Sequence, residues 1–198
     1  METTPTRKQQ THDRIVDTAA RVLRETGFQG VGVADIMKRA GLTHGGFYAH
    51  FPSRDALVAE ALERAGEDSR LRLERAIAAG EAKGASRFRA LVESYLSERH
   101  LKCPESGCPV AALGSEIPRQ GEAVREAAQA RVASLLTAVE SALGSGQPVG
   151  TAAVVTAQMV GALQIARALG DNASGRRQLA ACRQFLLEQF ESERPAGR

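Results

Sequence analysis

The 198-residue chain is predicted to be all-α, and three observations favour this class. Apolar residues recur at every third or fourth position in each long segment, which is the spacing of one helix face. No segment shows the strict alternation of apolar and polar residues that half-buried strands carry. Hydroxyl residues, glycines and prolines separate the periodic segments, as they do at helix ends, and they divide the chain into about nine helices.

The first predicted helix covers residues 10–26. Gly27 is expected to end it, after which Phe28 returns to the core. The preceding residues 1–9 are polar, and we expect them to form a disordered arm. Four apolar positions share one face of this helix: Ile15, Ala19, Val22 and Leu23.

Two short helices joined by a tight turn follow within residues 33–51. The first is expected to end at Gly41, in a conformation of positive φ that larger residues resist. Thr43 is expected to cap the second, and Phe51-Pro52 to end it, because the residue before proline disfavours α geometry. Helices joined so closely must cross steeply, which leaves one of them able to enter the major groove of DNA.

A long helix is predicted from Ser53 to about residue 79. Its two ends are apolar, whereas its middle, Arg64 to Arg70, is polar. This pattern is typical of a connector that leaves one small core and enters another. We therefore predict a helix-turn-helix domain of three helices over residues 10–58 and a second helical domain over residues 59–198.

The remainder of the chain is also helical, in five predicted segments: 86–101, 108–118, 121–143, 148–169 and 174–190. The segment 148–169 is apolar almost all round, and such a helix must be covered on every side. A symmetric partner would cover it in a four-helix bundle built from the last two helices of each chain. We therefore predict a homodimer through residues 148–190. The alternative is that this helix forms the centre of a monomeric bundle.

The net charge of +3 is concentrated at the N-terminus. Residues 1–54 contain eight Lys or Arg and five Asp or Glu, and the remaining residues contain 18 of each sign. Three of the four histidines lie in the same segment. A surface that binds a polyanion, if the chain has one, is therefore expected there.

Composition excludes several classes of protein. The chain shows no apolar run of membrane-spanning length and no leader, so we expect a cytoplasmic protein without membrane contact. Its three cysteines are then expected to be reduced thiols. We find no motif that predicts a catalytic set, a metal site or a cofactor.

The first 60 or so residues resemble the DNA-binding domain of the TetR family of bacterial transcriptional repressors. The resemblance is carried by the run from Asp35-Ile36 to Ala40-Gly41-Leu42-Thr43 and by the run from Gly46-Phe47-Tyr48 to Ala56-Leu57. It implies a homodimeric repressor on a palindromic operator, not an enzyme. It further implies a C-terminal domain that binds a small-molecule inducer and dimerises through its last two helices.

The resemblance also implies a set of DNA-binding residues in and beside the recognition helix: Thr43, His44, Gly45, Gly46, Tyr48, His50 and Arg54. Gly45-Gly46 leaves the first turn of this helix without a long side chain, so we expect part of the specificity to come from DNA shape. Arg54 stands where lysine is usual. For His50, a surface histidine without a partner is an equal alternative.

The segment from His100 to Pro109 contains Cys103 and Cys108, and four interpretations compete. A zinc site would need a fourth ligand; Glu105 is nearby, but the spacing is not that of a Cys-x-x-Cys pair. A catalytic cysteine–histidine pair would need an orienting group that no motif supplies. A redox or electrophile switch is favoured over both, because Cys108 precedes a short helix and Lys102 lies nearby in the sequence. An inert buried cysteine is favoured over the switch.

The inducer that the resemblance implies would occupy a cavity in the second domain. The candidate lining residues are apolar and at helical spacing: Phe88, Leu91, Tyr95, Leu113, Val124 and Val132. Ordinary core packing explains each of them equally well. The predicted function is a repressor released by a small-molecule or thiol-reactive effector. Two alternatives stay open, a cysteine-based enzyme and a DNA-binding scaffold without an effector.

Overall fold

The computed structural model describes residues 6–191, and within that range it contains nine α-helices and no strand. The helices are α1 Arg7–Thr26, α2 Val33–Arg39, α3 Arg54–Glu81, α4 Arg87–Tyr95, α5 Glu98–Lys102, α6 Pro109–Leu113, α7 Glu122–Leu143, α8 Thr151–Leu169 and α9 Ala173–Phe190. Short 3₁₀ turns lie at Phe28–Gly30, His44–Ala49, Pro104–Ser106 and Ile117–Arg119. The predicted all-α class is confirmed.

The start of α1 corrects the predicted disordered arm. Thr6 and Gln9 form a capping box, in which Gln9 N–H donates to Thr6 Oγ1 at 3.3 Å and Thr6 N–H donates to Gln9 Oε1 at 2.8 Å. These bonds satisfy backbone donors that a helix N-terminus otherwise leaves open, so residues 7–9 are helical. The rest of the predicted arm, residues 1–5, lies outside the described residues.

Three further predicted helices differ from those observed. The predicted segment 108–118 forms the shorter α6, Pro109–Leu113, and a separate 3₁₀ turn at Ile117–Arg119. The segment 86–101 forms α4 and α5, because the hydroxyl of Ser97 accepts from His100 N–H at 3.2 Å and starts a new helix. The recognition segment, His44–Ala49, is a 3₁₀ helix and not an α-helix. Gly45 and Gly46 lower its α-helix propensity, and the segment is short, which favours the tighter 3₁₀ geometry that usually occurs in short pieces.

The chain divides into two compact units. The first contains residues 6–69 together with Pro104–Val132, and the second contains Arg70–Cys103 together with residues 133–191. The division within α3 therefore falls after residue 69, beyond the predicted boundary at 58/59. Residues 104–132 belong to the first unit because Leu113, Val124 and Ala128 lie in the same buried cluster as the N-terminal helices.

The first unit is held by an apolar core and by ion pairs between α1 and α3. Ile15, Phe28 and Leu57 are fully buried in this core. The polar middle of α3 faces α1: Arg64 pairs with Asp17, and with Asp13 at 3.2 Å between Nη2 and Oδ1. The buried Arg24 donates from Nη1 to the carbonyl of Ala65 at 3.2 Å. The polar stretch of the connector is thus a docking face for α1.

The second unit is built around α8 and α9, which pack on one another. One face of α8 is buried, with Val155, Met159 and Leu163 at its centre. The opposite face exposes Val154, Ile165 and Leu169, which lie on one side of the helix, and α9 exposes Phe185. These four residues form the exposed apolar strip. The chain itself therefore covers only part of its most apolar helix.

The length and composition of α8 overturn one expectation. Helix α8 has 19 residues, and 18 consecutive residues of it have a mean hydropathy of 1.4, with 33% of them buried. By length and composition it could therefore cross a membrane. The prediction that no such run exists was wrong, because the few polar residues between 151 and 169 are mostly uncharged.

Candidate DNA interface

The turn before the recognition segment has a backbone shape that requires glycine. Gly41 has φ +71°, which side chains with a Cβ rarely adopt, and Leu42 N–H donates to the carbonyl of Met37 at 2.8 Å. This reversal directs the chain from α2 into the recognition segment. Thr43 occupies the position before that segment in extended geometry, and its side chain makes no capping bond. The predicted cap is therefore absent, and Thr43 is exposed.

Two aromatic side chains anchor the recognition segment. Phe47 and Phe51 are each 1% exposed, and their rings stack with centroids 5.6 Å apart. Both side chains belong to the apolar core of the first unit. Because the anchors occupy the inward side, the outward side carries the residues available to a partner.

The outward side carries the residues expected over the bases and along the backbone. His44 and Gly45 are exposed, Gly46 is half-buried, and Tyr48 is 72% exposed with its ring edge against Phe47. Neither glycine has a positive φ. A Cβ at Gly45 would have nothing within 4 Å, and a Cβ at Gly46 would lie 3.6 Å from Met37 Cε, an ordinary contact. The fold therefore does not require glycine at either position.

His50 lies half-buried at the end of the segment, among aromatic and basic neighbours. Its Nδ1 has no hydrogen-bond partner among the described residues. Burial is the main cause that lowers the pKa of His50, and the neighbouring His12 and Lys8 lower it further. A groove of about 300 Å³ opens beside it, lined on the α1 side by Lys8 and His12.

The guanidinium of Arg54 is hydrogen-bonded to backbone carbonyls of its own unit. Its Nε donates to the carbonyl of Val31 at 3.0 Å, its Nη2 donates to the carbonyl of Phe28, and its Nη1 lies 3.6 Å from Asp55 Oδ1. All three nitrogens of the guanidinium thus have a protein contact. In this state Arg54 acts as a structural tie, and the phosphate contact expected of it stays a prediction.

The expected lining of an effector cavity is not assembled in one unit. Phe88, Leu91 and Tyr95 are buried in the second unit. In the first unit, Leu113 and Val124 belong to the apolar core, and Val132 is half-buried at its edge. Helical spacing alone could not separate these groups, since any buried helix face carries it.

The cysteine segment is divided in the same way. Cys103 is half-buried at the end of α5 in the second unit, whereas Cys108 is 3% exposed before α6 in the first. His100 Nδ1 lies 2.7 Å from the carbonyl of Tyr95, so the ring donates there. Burial lowers the pKa of His100 to about 4, and Arg167 and Arg72 add to that shift. The ring is therefore neutral at physiological pH and is oriented by the backbone of Tyr95.

Comparison with known proteins gives this geometry a family. Residues 15–61 match the family described as bacterial regulatory proteins, tetR family, and residues 84–182 match the family described as tetracyclin repressor-like, C-terminal domain. The chain belongs to the TetR family. It is a DNA-binding transcriptional regulator, and the predicted family and class of function are confirmed.

Two curated relatives illustrate how far the TetR-family likeness extends. The chain is 26% identical over 137 residues to the HTH-type transcriptional repressor NemR of Escherichia coli K12, covering 69% of each chain. It is 29% identical over 122 residues to the HTH-type transcriptional regulator LmrA of Bacillus subtilis 168, covering 58% of this chain and 61% of LmrA. Both relatives are named as transcriptional regulators.

Solved structures agree with the fold over most of the chain. The reduced form of E. coli NemR superposes with a TM-score of 0.70 at 24% identity, covering 88% of this chain and 96% of NemR. A TetR-family regulator from Agrobacterium tumefaciens gives a TM-score of 0.75 at 23% identity, covering 93% and 100%. At such identities the superpositions show the TetR fold alone.

Sequence reasoning missed the residue of this TetR-family domain that organises the end of the recognition segment. His12 on α1 stacks on Phe51 with ring centroids 4.5 Å apart, and its Nε2 lies 2.7 Å from Glu60 Oε2 on α3. Its position on a helix face was readable, but its partners lie 39 and 48 positions away along the sequence. No local pattern predicts such a pairing.

Proposed function

We propose that the protein is a homodimeric transcriptional repressor that binds a palindromic operator and is released by a small-molecule or thiol-reactive effector. The observation that carries the proposal is the recognition segment. Aromatic anchors hold it from inside, while Thr43, His44, Gly45 and Tyr48 are exposed on its outer side. Under this proposal residues 10–58 form the DNA-binding domain, and residues 59–198 form the effector-binding and dimerisation domain.

Each exposed residue has a chemical role in the proposed complex. The Thr43 hydroxyl and the Tyr48 phenol would donate to phosphates, and His44 would read base edges in the major groove. Gly45 and Gly46 would let the backbone approach the DNA closely. His50 would contact a phosphate at the end of the segment, assisted by the neighbouring Lys8.

The exposed apolar strip supports the proposed homodimer through residues 148–190. Val154, Ile165, Leu169 and Phe185 are each between 45% and 58% exposed, on two packed helices. An isologous pairing of α8 and α9 with their copies would bury these side chains and place two recognition segments on one operator. The same strip would be the lipid-facing surface if α8 crossed a membrane. The TetR-family match favours the dimer, in the cytoplasm.

The effector is proposed to act on the second domain or on the cysteine segment. Phe88, Leu91 and Tyr95 are the candidate contacts for an apolar ligand, and Cys103 and Cys108 are the candidate targets of a thiol-reactive one. The solved structure of NemR is described as its reduced form, which supports a test of thiol chemistry here. Cys103 is the more exposed of the two thiols, so a bulky alkylator is expected to reach it first.

Fluorescence anisotropy with the DNA upstream of the protein's own gene tests the proposal. We expect tight binding that weakens steeply with salt, since phosphate contacts release counterions. The titration is repeated after alkylation or peroxide, with Cys103→Ser and Cys108→Ser as matched variants and Cys182→Ser as control. If the treatment releases the unaltered protein from DNA but one cysteine variant stays bound, the result supports a thiol-reactive effector. If the treatment leaves DNA binding unchanged, the effector is expected to bind the apolar residues of the second domain. Loss of both specific and non-specific DNA binding by the intact protein would overturn the repressor.

A further inference from the structure

The turn between α1 and α2 is held by two charged side chains that come from different parts of the sequence. Glu116 lies after α6, and its Oε2 accepts the backbone N–H of Phe28 at 3.2 Å. Arg54, the first residue of α3, donates to the carbonyl of the same residue. Phe28 therefore has its backbone donor and its backbone acceptor satisfied by opposite charges. We call this arrangement the Phe28 clamp.

The backbone beneath the carboxylate is shaped to admit it. Gly27 has φ +75°, and a Cβ at this position would lie 2.6 Å from Glu116 Oε1. A side chain at position 27 would therefore both strain the backbone and displace the carboxylate. Glycine is therefore required at position 27 for two reasons, the positive φ and the close approach of the Glu116 carboxylate.

The Phe28 clamp lies at both ends of the helix-turn-helix motif. Phe28 and Val31 come directly before α2, and Arg54 comes directly after the recognition segment and its Phe51-Pro52 end. Because Arg54 binds the carbonyls of both Phe28 and Val31, it ties the exit of the motif to its entry. The orientation of the recognition segment on its core thus depends on the hydrogen bonds of Arg54 to the carbonyls of Phe28 and Val31.

Glu116, the acidic residue of the clamp, is itself held by backbone hydrogen bonds in the segment that follows α6. The N–H of Glu116 donates to the carbonyl of Leu113 at 2.8 Å, and its carbonyl accepts from Arg119 N–H at 3.1 Å. Leu113 is fully buried in the core of the first unit. A displacement of α6 therefore moves the Glu116 carboxylate relative to Phe28.

We propose that Glu116 is a positioning residue for operator recognition, which acts by holding Phe28 and through it Arg54 and the recognition segment. The inference rests on the proposed repressor for its DNA readout. Without the carboxylate the N–H of Phe28 loses its acceptor, and the backbone of Phe28 is held by Arg54 alone. Misplacement of the recognition segment weakens contacts to base edges, whereas contacts to phosphates tolerate it.

Three variants test the proposal: Glu116→Ala, Glu116→Gln and the control Glu126→Ala, which removes an exposed carboxylate on α7 of the same unit. Binding is measured to the DNA upstream of the gene and to a shuffled sequence of equal length. We expect Glu116→Ala to weaken the first by about tenfold and the second by less than twofold. Glu116→Gln keeps an acceptor oxygen and is expected to restore most of the affinity. The control is expected to match the unaltered protein.

Hydrogen exchange of the Phe28–Val31 and Thr43–His50 amides provides a readout that needs no DNA. We expect faster exchange in Glu116→Ala at both places, with a midpoint of thermal unfolding that falls by a few degrees at most. Equal weakening on both DNAs together with a larger fall of the unfolding midpoint would mean a role in stability alone and would overturn the proposal. Unchanged exchange and affinity would overturn it as well. If the unaltered protein binds neither DNA, the repressor fails, and the exchange data still decide the clamp.

Discussion

The recognition segment and α8 differ in how their apolar residues are covered. In the recognition segment Phe47 is buried within its own unit, as is Phe51 just after it, and the exposed residues are His44, Gly45, Tyr48 and the small Ala49. In α8, apolar residues lie on both faces, and those of the exposed apolar strip are uncovered by the chain. The recognition segment buries its large apolar side chains and exposes groups that suit a polar partner. Helix α8 leaves large apolar side chains exposed, which is typical of a surface that binds a copy of itself.

The largest expected effect comes from removing an aromatic anchor. Phe47→Ala empties a fully packed site and is expected to lower the free energy of unfolding by about 3–5 kcal/mol. Tyr48→Ala is the matched control on the same segment, and because Tyr48 is 72% exposed it is expected to change stability by less than about 0.5 kcal/mol. Urea denaturation measures both. Equal effects of the two substitutions would break the distinction between inner and outer side.

The pH dependence of stability separates the buried polar groups of the second unit from the apolar core of the first. The pKa of His100 is about 4 in the folded state and near its ordinary value of 6.5 when unfolded. As pH falls from 6.5 to 4, His100 is protonated in the unfolded chain but stays neutral in the folded chain. The free energy of unfolding is therefore highest above pH 6.5 and falls below it. Between pH 7.5 and 5 the expected loss is about 2 kcal/mol.

Denaturation at the two pH values, compared with His100→Asn, measures this loss. Asparagine keeps a donor for the carbonyl of Tyr95 but does not titrate, so we expect the variant to lose about 2 kcal/mol less than the unaltered protein. Parallel losses in both proteins would show that His100 is not the group responsible.

A charge in the exposed apolar strip tests whether a second copy covers it. Ile165→Asp is expected to weaken the proposed homodimer by about 100-fold or more, because the carboxylate would be desolvated at the interface. Light scattering across a dilution series measures the dissociation. Ala123→Asp, at an exposed position of α7, is the control. An unchanged dimer in Ile165→Asp would place the interface elsewhere and leave the apolar strip unexplained.

The smallest expected effect distinguishes two glycines of the DNA interface. Gly41→Ala meets a positive φ and is expected to destabilise the fold by about 1–2 kcal/mol. Gly45→Ala meets neither a positive φ nor a neighbour within 4 Å, so stability is expected to stay equal or rise by less than about 1 kcal/mol. Operator binding by Gly45→Ala is nevertheless expected to weaken, because the methyl group occupies space that DNA would fill. Undiminished binding would remove Gly45 from the interface.

Several features of the fold could be predicted from local patterns. The glycine turn at Gly41, the buried Phe47 and Phe51 and the ends of most helices follow from backbone preference and helical periodicity, which are properties of neighbouring residues. The 3₁₀ geometry of the recognition segment was missed, because two glycines weaken an α-helix without specifying its replacement. The helical start at Thr6 was missed because a capping box needs two side chains to meet.

In the candidate site, too, some features could be predicted from the sequence and others could not. Thr43, His44 and Tyr48 were predicted as DNA-binding residues from the family resemblance, and all three are exposed. The engagement of Arg54 by two carbonyls could not be predicted, since those carbonyls belong to residues 23 and 26 positions earlier. The six apolar residues proposed for one cavity were separated between two units, because periodicity reports that a face is buried but not which core buries it.

The amino-acid sequence by itself determined the all-α class, the helix-turn-helix motif and the family, since each is written in short-range spacing and in an ordered run of residues. Only the tertiary structure decided the partners of Arg54, His12 and Glu116, and which core receives Leu113 and Val124. Hydrogen bonds and apolar contacts between distant segments depend on where helices meet in space. That meeting is set by the packing of all buried faces together, which no single segment encodes.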